Sequence, residues 1–298
     1  MTKKETKNSF VPLTFDYMFK RVFTKNQNLL KSFLITVLKL DMDPNNTNII
    51  IENSELTKTI RKEYHKTVDV LVVLNGKITI DVELNSSTYD AIKYRNALYI
   101  EKIMTTNLEQ GTILGDMSNY YYYQLNLNIH KFKENIGEKN FYFKEDKTNE
   151  LLIDILRVIH KSLDYYSKLY YNKITKLSSD AIWLALINAK SFNEIEEMAS
   201  LIMERKEKDK FMKDIKEASR DKLVLSEWES EKMAELVEQE SIKYAKLEGV
   251  KEGIEQGIEQ GIEQTIKKML EKNFEIKDIQ EITGKTIEEI QKIKESLI

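Results

Sequence analysis

The sequence predicts an α/β fold with a helical C-terminal half, and three observations carry that expectation. Runs rich in Val and Ile flank Asn75-Gly76 and read as a strand hairpin. Apolar residues at helical spacing precede it from Leu13 and follow it from Thr88. From about Ser162 onward the pattern is helical almost to the end.

Leu13 to about Leu40 is helical. Phe15, Phe19, Val22 and Phe23 recur at helical spacing, as do Leu30, Phe33, Leu34, Val37 and Leu38. Thr14 is the expected cap, Asp41–Pro44 the expected end, and Asn26-Gln27-Asn28 a candidate break into two helices. Asn48–Ile51 is a short strand candidate, and Thr67–Leu74 with Lys77–Asn85 forms the hairpin. Thr88 to about Glu109, closed by Gly111, is a helix, and Tyr120–Phe132 a strand. Phe141–Phe143 reads as a strand, Leu151–Ile159 as either strand or helix. Ser178–Lys190 and Ser191–Lys206 are two helices, followed by a long charged one from about Ser226 to Glu271. Phe274 to Ile298 reads as two short helices around Thr283-Gly284.

Composition narrows the function classes. At 298 residues the chain can bury one sizeable core with an appendage, or two modest ones. With 2 Pro and 9 Gly, long disordered linkers are not expected. Cysteine is absent, which excludes disulfides and thiolate metal sites and fits a reducing compartment. A net charge of -3 speaks against a wholly basic nucleic-acid coat protein but leaves room for a local patch. No apolar run has the length of a membrane span, and the first residues lead into no signal-type stretch, so a cytoplasmic location is expected.

The hairpin register decides which side chains share a face. A two-residue Asn75-Gly76 loop would set Val68, Val70 and Val72 beside Glu83, Asp81 and Thr79, mixing apolar and polar rows. A three-residue loop, Leu74-Asn75-Gly76, pairs Val73 with Lys77 and places the three valines beside Val82, Ile80 and Ile78. Asp69 then lies beside Asp81 on the other face, with Glu83 and Asn85 in the same row. The apolar pattern selects the second register, and with it a cluster of acids. Clustered carboxylates repel unless water or a cation intervenes, and Mg²⁺ suits a few carboxylates with retained waters. A solvated strand face with neighbouring lysines explains the same acids.

Several segments resemble one known family, the recombination-promoting nuclease or transposase group of the PD-(D/E)XK superfamily. Asp16-Tyr17-Met18-Phe19-Lys20-Arg21-Val22-Phe23 matches its D-x-x-F-K-x-x-F signature. Asp69-Val70 matches its strand aspartate, and Val82-Glu83-Leu84-Asn85 its I-E-x-Q segment. Tyr94-Arg95 and Leu108-Glu109-Gln110-Gly111 match the helix that follows. The Gly-Ile-Glu-Gln repeats and the two-helix tail also resemble family features. The resemblance covers most of the chain.

What the resemblance implies is a restriction-endonuclease-like core, a mixed central sheet flanked by helices, followed by the helical C-terminal half. The expected divisions are a nuclease-like domain at 1–160, a helical extension packing on it at 161–225, the long charged helix at 226–265 and a small helical module at 266–298. Carried over, Asp69 and Glu83 would hold Mg²⁺, or Mn²⁺ in its place, with the Leu84 carbonyl as a further ligand. Asp16 and Lys20 either line this site or form an ordinary i,i+4 ion pair. Lys93 and Arg95 are candidate substrate-binding cations from the following helix. The family position usually held by Lys, or by Gln in this group, is Asn85 here. Asn hydrogen-bonds but carries no charge, so it marks either a working substitute or a weakened enzyme.

Other features are less specific. His65, His130 and His160 lack metal-ligand spacing. Tyr120–Tyr123 has the look of a strand with two tyrosines inward and two outward, or of a base-stacking surface. Lys20, Arg21, Lys25, Arg61, Lys62, Lys66, Lys93 and Arg95 form either a phosphate-tracking set or ordinary solvated cations. Gly249, Gly253, Gly257 and Gly261 recur every fourth residue, which permits close helix–helix approach and self-association. The expected function is a Mg²⁺-dependent DNA endonuclease in a recombination, mobile-element or defence setting. Its rivals are an inactive nuclease-fold protein that binds DNA or protein, and an oligomeric interaction protein.

Overall fold

The computed structural model describes residues 10–52, 70–85, 91–106, 118–172 and 176–297; the side chains of 91–93, 95, 102, 105 and 106 are outside that description. The chain divides into two compact units, residues 1–228 and 229–298.

The first helical stretch is indeed two helices, α1 (Asp16–Lys25) and α2 (Gln27–Leu38). Asn26 separates them, with its side-chain amide donating to the Val22 carbonyl at 2.9 Å and to Asp214 Oδ2 at 3.0 Å. The cap of α1 is Phe15 in extended conformation, not Thr14. Lys39 turns left-handed at φ 53 and ends α2 before the Asp41–Pro44 segment is reached.

The strands form one six-stranded sheet in the order β1-β2-β3-β4-β6-β5. They are β1 (Ile49–Glu52), β2 (Val70–Leu74), β3 (Ile78–Asn85), β4 (Tyr121–Asn128), β5 (Glu138–Phe141) and β6 (Leu156–Ser162). Pairing is antiparallel for β1–β2, β2–β3 and β5–β6, and parallel for β3–β4 and β4–β6, so the sheet is mixed as expected. A parallel neighbour requires a crossover, and helix α3 (Ala91–Thr106) lies between β3 and β4 in the chain. The ambiguous Leu151–Ile159 segment resolves as strand, although β6 itself begins only at Leu156.

The hairpin has the expected three-residue loop, but its position is corrected. Leu74 pairs with Ile78, so the loop is Asn75-Gly76-Lys77 and the register shifts by two positions. Leu74 is fully buried, and a loop containing it would pull it out of the core. Asn75 and Gly76 both take positive φ, 50 and 66, the left-handed region that Asn tolerates and Gly favours. Asn75 also ties the turn to β1: its Oδ1 accepts from the Asn48 N–H at 2.7 Å. A shift of two keeps every side chain on its predicted face and changes only its partner.

One face of the sheet is apolar. Val70, Val72, Leu74, Ile80, Val82, Tyr123, Leu125, Leu127 and Ile159 join α1 and α2 in the main core. That core also takes in α4 (Leu163–Tyr171), α5 (Ser179–Ile187), α6 (Phe192–Ile202) and α7 (Arg205–Ala218). Trp183 of α5 packs edge-on to Phe33 at 5.6 Å between ring centres, and Phe19 stacks on Phe23 at 4.4 Å. Each such buried side chain contributes about 1.5–3 kcal/mol. On the other face a smaller cluster, Leu71, Tyr99, Ile103, Tyr122, Ile155 and Leu156, seats α3.

Helix α8 (Lys222–Glu271) begins a few residues before the expected Ser226 and continues into the second unit. There α9 (Ile276–Thr283) and α10 (Ile287–Glu295) close a small core of Ile266, Ile279 and Ile290. Gly284, at φ 70, ends α9 in the left-handed conformation that favours glycine. Thr286 and Glu289 form a reciprocal capping box at the start of α10. Along α8, Val250, Ile254 and Ile258 are exposed, and a methyl group on any of the four repeated glycines would meet no described atom within 4 Å. Among the described residues no helix is long and apolar enough to cross a membrane.

Candidate active site

Alternation along β3 sends Ile80 and Val82 into the main core and Asp81, Glu83 and Asn85 to the face covered by α3. These three are 1%, 2% and 2% exposed, so the acidic row is not the solvated strand face that its composition allowed. Burial of carboxylates is costly without compensation. The neighbouring strand supplies part of it.

On β4 the sequence Gln124-Leu125-Asn126-Leu127 alternates in the same way, and the parallel register sets Gln124 beside Asp81 and Asn126 beside Glu83. Gln124 Nε2 donates to Asp81 Oδ2 at 2.9 Å and to the Asn96 carbonyl of α3 at 3.0 Å. Asn126 Nδ2 donates to Gln124 Oε1 at 3.2 Å. Asn126 Oδ1 in turn accepts from Asn85 Nδ2 at 3.1 Å and from Asn96 Nδ2. Asn85, Asn96, Gln124 and Asn126 are all buried. The result is a continuous polar layer between sheet and helix, with each amide in its network hydrogen-bonded.

The remaining expected site residues fall as follows. Asp69 lies outside the described residues, as do Arg61, Lys62, Lys66 and His65. Glu83 and Asn85 share the row, two positions apart on one strand. Leu84 points the other way, half-buried against the main core, leaving its carbonyl as its only polar contribution. Asp16 and Lys20 form the i,i+4 ion pair, Nζ to Oδ2 at 3.0 Å, on the first turns of α1. Lys93 and Arg95 are positions of α3, with side chains outside the description.

The cations of α1 are engaged with acids of the helical extension. Arg21 pairs with Asp221 at 3.1 Å and Lys25 with Asp214 at 2.7 Å. Burial pushes the Asp214 carboxyl up, but hydrogen bonds from Lys25 and Asn26 outweigh it and hold the group below the ordinary carboxylate value. Of the tyrosine run, Tyr122 and Tyr123 are buried on opposite faces of β4, while Tyr120 and Tyr121 are exposed at its start. Position along the strand, not alternation, sorts them. His160 packs edge-on to Phe141, with ring centres 5.1 Å apart.

Asn96, Gln124 and Asn126 were not singled out from the sequence. Their signal was present: amides at every second position of a strand otherwise made of Tyr and Leu mark a polar stripe on a buried element.

The donor chemistry of the row fits a hard divalent cation, being carboxylate and amide oxygen without thiolate or imidazole. Among the described residues no three His, Cys, Asp or Glu side chains come together as a metal-holding group. The order helix, three strands, helix and strand also stands: α1–α2, β1–β3, α3, β4. A family model described as PD-(D/E)XK nuclease family transposase matches residues 13–245. No curated protein and no solved structure matches the chain.

Proposed function

Because the chain belongs to the PD-(D/E)XK nuclease family transposases, we propose that it is a Mg²⁺-dependent DNA endonuclease hydrolysing phosphodiester bonds in recombination, mobile-element activity or defence. The observation that carries this is the burial of Glu83 on the third strand, on the face that α3 covers, beside an ordered polar layer. An acid buried there as mere surface decoration would have no compensating gain.

Glu83 and Asp69 are the proposed metal ligands, joined by the Leu84 carbonyl. The described β2–β3 register has partner numbers that sum to 152, as in Leu71 with Asp81; continued by one step on this face, it would set position 69 opposite position 83. When bound, Mg²⁺, or Mn²⁺ in its place, supplies an activated water and offsets charge on the scissile phosphate. Asn85 adjoins Glu83 in the row. The Asp16–Lys20 pair is proposed to border the site from α1, and Lys93 and Arg95 to contact DNA phosphates, a contact that makes affinity fall with salt. We place the protein in the cytoplasm and propose that the C-terminal helices assemble copies of the chain.

A second reading keeps the fold without the chemistry, as a DNA- or protein-binding oligomer. The observation favouring it is Asn85, an uncharged residue already committed to Asn126. Plasmid nicking with Mg²⁺ separates the two. The nuclease reading expects nicked circles from wild type and none from Glu83→Ala of equal fold; equal nicking by both, or none by either, overturns it.

A further inference from the structure

We infer that Asn85 serves as an oxygen donor to the bound cation, oriented by a chain of buried amides, and not as a shortened stand-in for a lysine. This rests on the metal-binding part of the nuclease reading.

The argument starts from Asp81. An ionised carboxylate only accepts hydrogen bonds, so the Gln124 amide 2.9 Å away must turn its nitrogen toward it. That turns Gln124 Oε1 toward Asn126, which meets it with its own nitrogen at 3.2 Å. Asn126 must then present Oδ1 to its other neighbours, where the nitrogens of Asn85 and Asn96 both donate to it. Each step fixes the next. Asn85 is last in line: its nitrogen faces β4, and because an amide is planar its Oδ1 faces away from β4. A flipped Asn85 would set its oxygen against Asn126 Oδ1, two acceptors without a proton between them.

The orientation is therefore imposed from a carboxylate two strand steps distant through Gln124 and Asn126, with Asn96 holding the layer from α3. On β3 the Asn85 oxygen shares its face with the Glu83 carboxylate. An amide oxygen and a carboxylate in one row are a hard-ligand pair of the kind that Mg²⁺ and Mn²⁺ take. A cation at this position would repel the metal. In this reading Asn85 is a ligand, and Gln124 and Asn126 are positioning residues.

The test is Mn²⁺ binding to the full chain, followed by the electron paramagnetic resonance signal of free Mn²⁺, on variants shown by circular dichroism to be folded. Asn85→Leu has nearly the same shape without the oxygen and should bind Mn²⁺ about 10–100-fold more weakly, the range seen when metal-site partners are lost. Asn85→Lys should weaken binding at least as much. Asn126→Leu should weaken it several-fold by freeing the Asn85 amide to turn, an effect that a purely structural role would not have on Mn²⁺ affinity. If Asn85→Leu does not fold, Asn85→Ala carries the same expectation.

Wild-type affinity in Asn85→Leu overturns the inference, as does Asn85→Lys that holds Mn²⁺ normally and nicks faster, or a wild type that binds no Mn²⁺. If these variants behave as expected while wild type cuts no plasmid, the nuclease reading falls and the inference stands. If wild type cuts, Glu83→Ala does not, and Asn85→Leu binds Mn²⁺ normally, the inference alone falls.

Discussion

Gln124 Nε2 donates to Asp81 Oδ2 at 2.9 Å, joining two parallel strands through a neutral donor and a buried carboxylate. Removing the donor leaves a buried acceptor to be satisfied in some other way. Gln124→Leu is expected to lower stability by about 1–3 kcal/mol, measured by urea unfolding. In an Asp81→Leu background the same change should cost much less, because the acceptor is gone. A double-mutant cycle with no coupling would show that the contact contributes nothing.

Glu83→Gln retains shape and hydrogen bonding while removing the charge. It should stay folded and lose nicking by at least the roughly 100-fold that an outer-shell partner of a metal site is worth. The melting temperature, read beside the nicking rate, separates chemistry from folding.

Stability should fall in acid through the Lys25–Asp214 contact between α1 and α7. The Asp214 carboxyl is held below its ordinary value, so its contribution is complete above the unfolded value, about 3.9 for Asp, and is lost as pH falls through the lower folded one. Asp214→Asn should lower the urea midpoint at neutral pH and flatten its decline across roughly pH 5 to 2. An acid limb as steep as that of wild type would remove Asp214 from the account.

The repeated glycines of α8 give a test of self-association. Added methyl groups meet nothing described, so Gly253→Ala and Gly257→Ala should each stabilise the helix by about 1 kcal/mol in an isolated chain. If a second copy packs on that face, the same changes disrupt the contact. Light scattering and thermal melting together distinguish the two: a larger species lost in the variants supports the assembly proposed above, and an unchanged monomer with a higher melting point rejects it.

Ile279 is fully buried in the small core of the second unit. Ile279→Ala should cost about 2–5 kcal/mol there. Amide exchange should then rise in α9 and α10 and stay unchanged in the six strands. Uniform loss of protection would mean that the two units unfold together.

Much of the architecture was legible because it depends on alternation and spacing. The Val and Ile pattern assigned the right face to every residue from Val70 to Leu74 and from Ile78 to Asn85, and Asn26 marked the break between α1 and α2. Alternation repeats every second residue, however, so it does not distinguish a register from one shifted by two. The turn decided that, through Asn75 taking positive φ and Leu74 staying in the core. Burial of the acidic row was hidden for a related reason: charged residues at alternate positions read the same whether water or a helix covers them. What reveals the cover is the matching stripe on β4, which lies forty residues away in the chain and becomes a neighbour only through the parallel crossover. The Asp16–Lys20 pair was legible as a pair, because helical spacing alone brings it together.

The linkage from Asp81 to Asn85 runs wholly through carboxamides, groups that neither gain nor lose a proton under conditions in which proteins remain native. A lysine in the same place would change its interactions with every neighbouring ionisation. This scaffold keeps one set of dipoles through acid and alkali alike, so a pH–rate curve measured here would report the carboxylates and the attacking water, undisturbed by the frame that holds them.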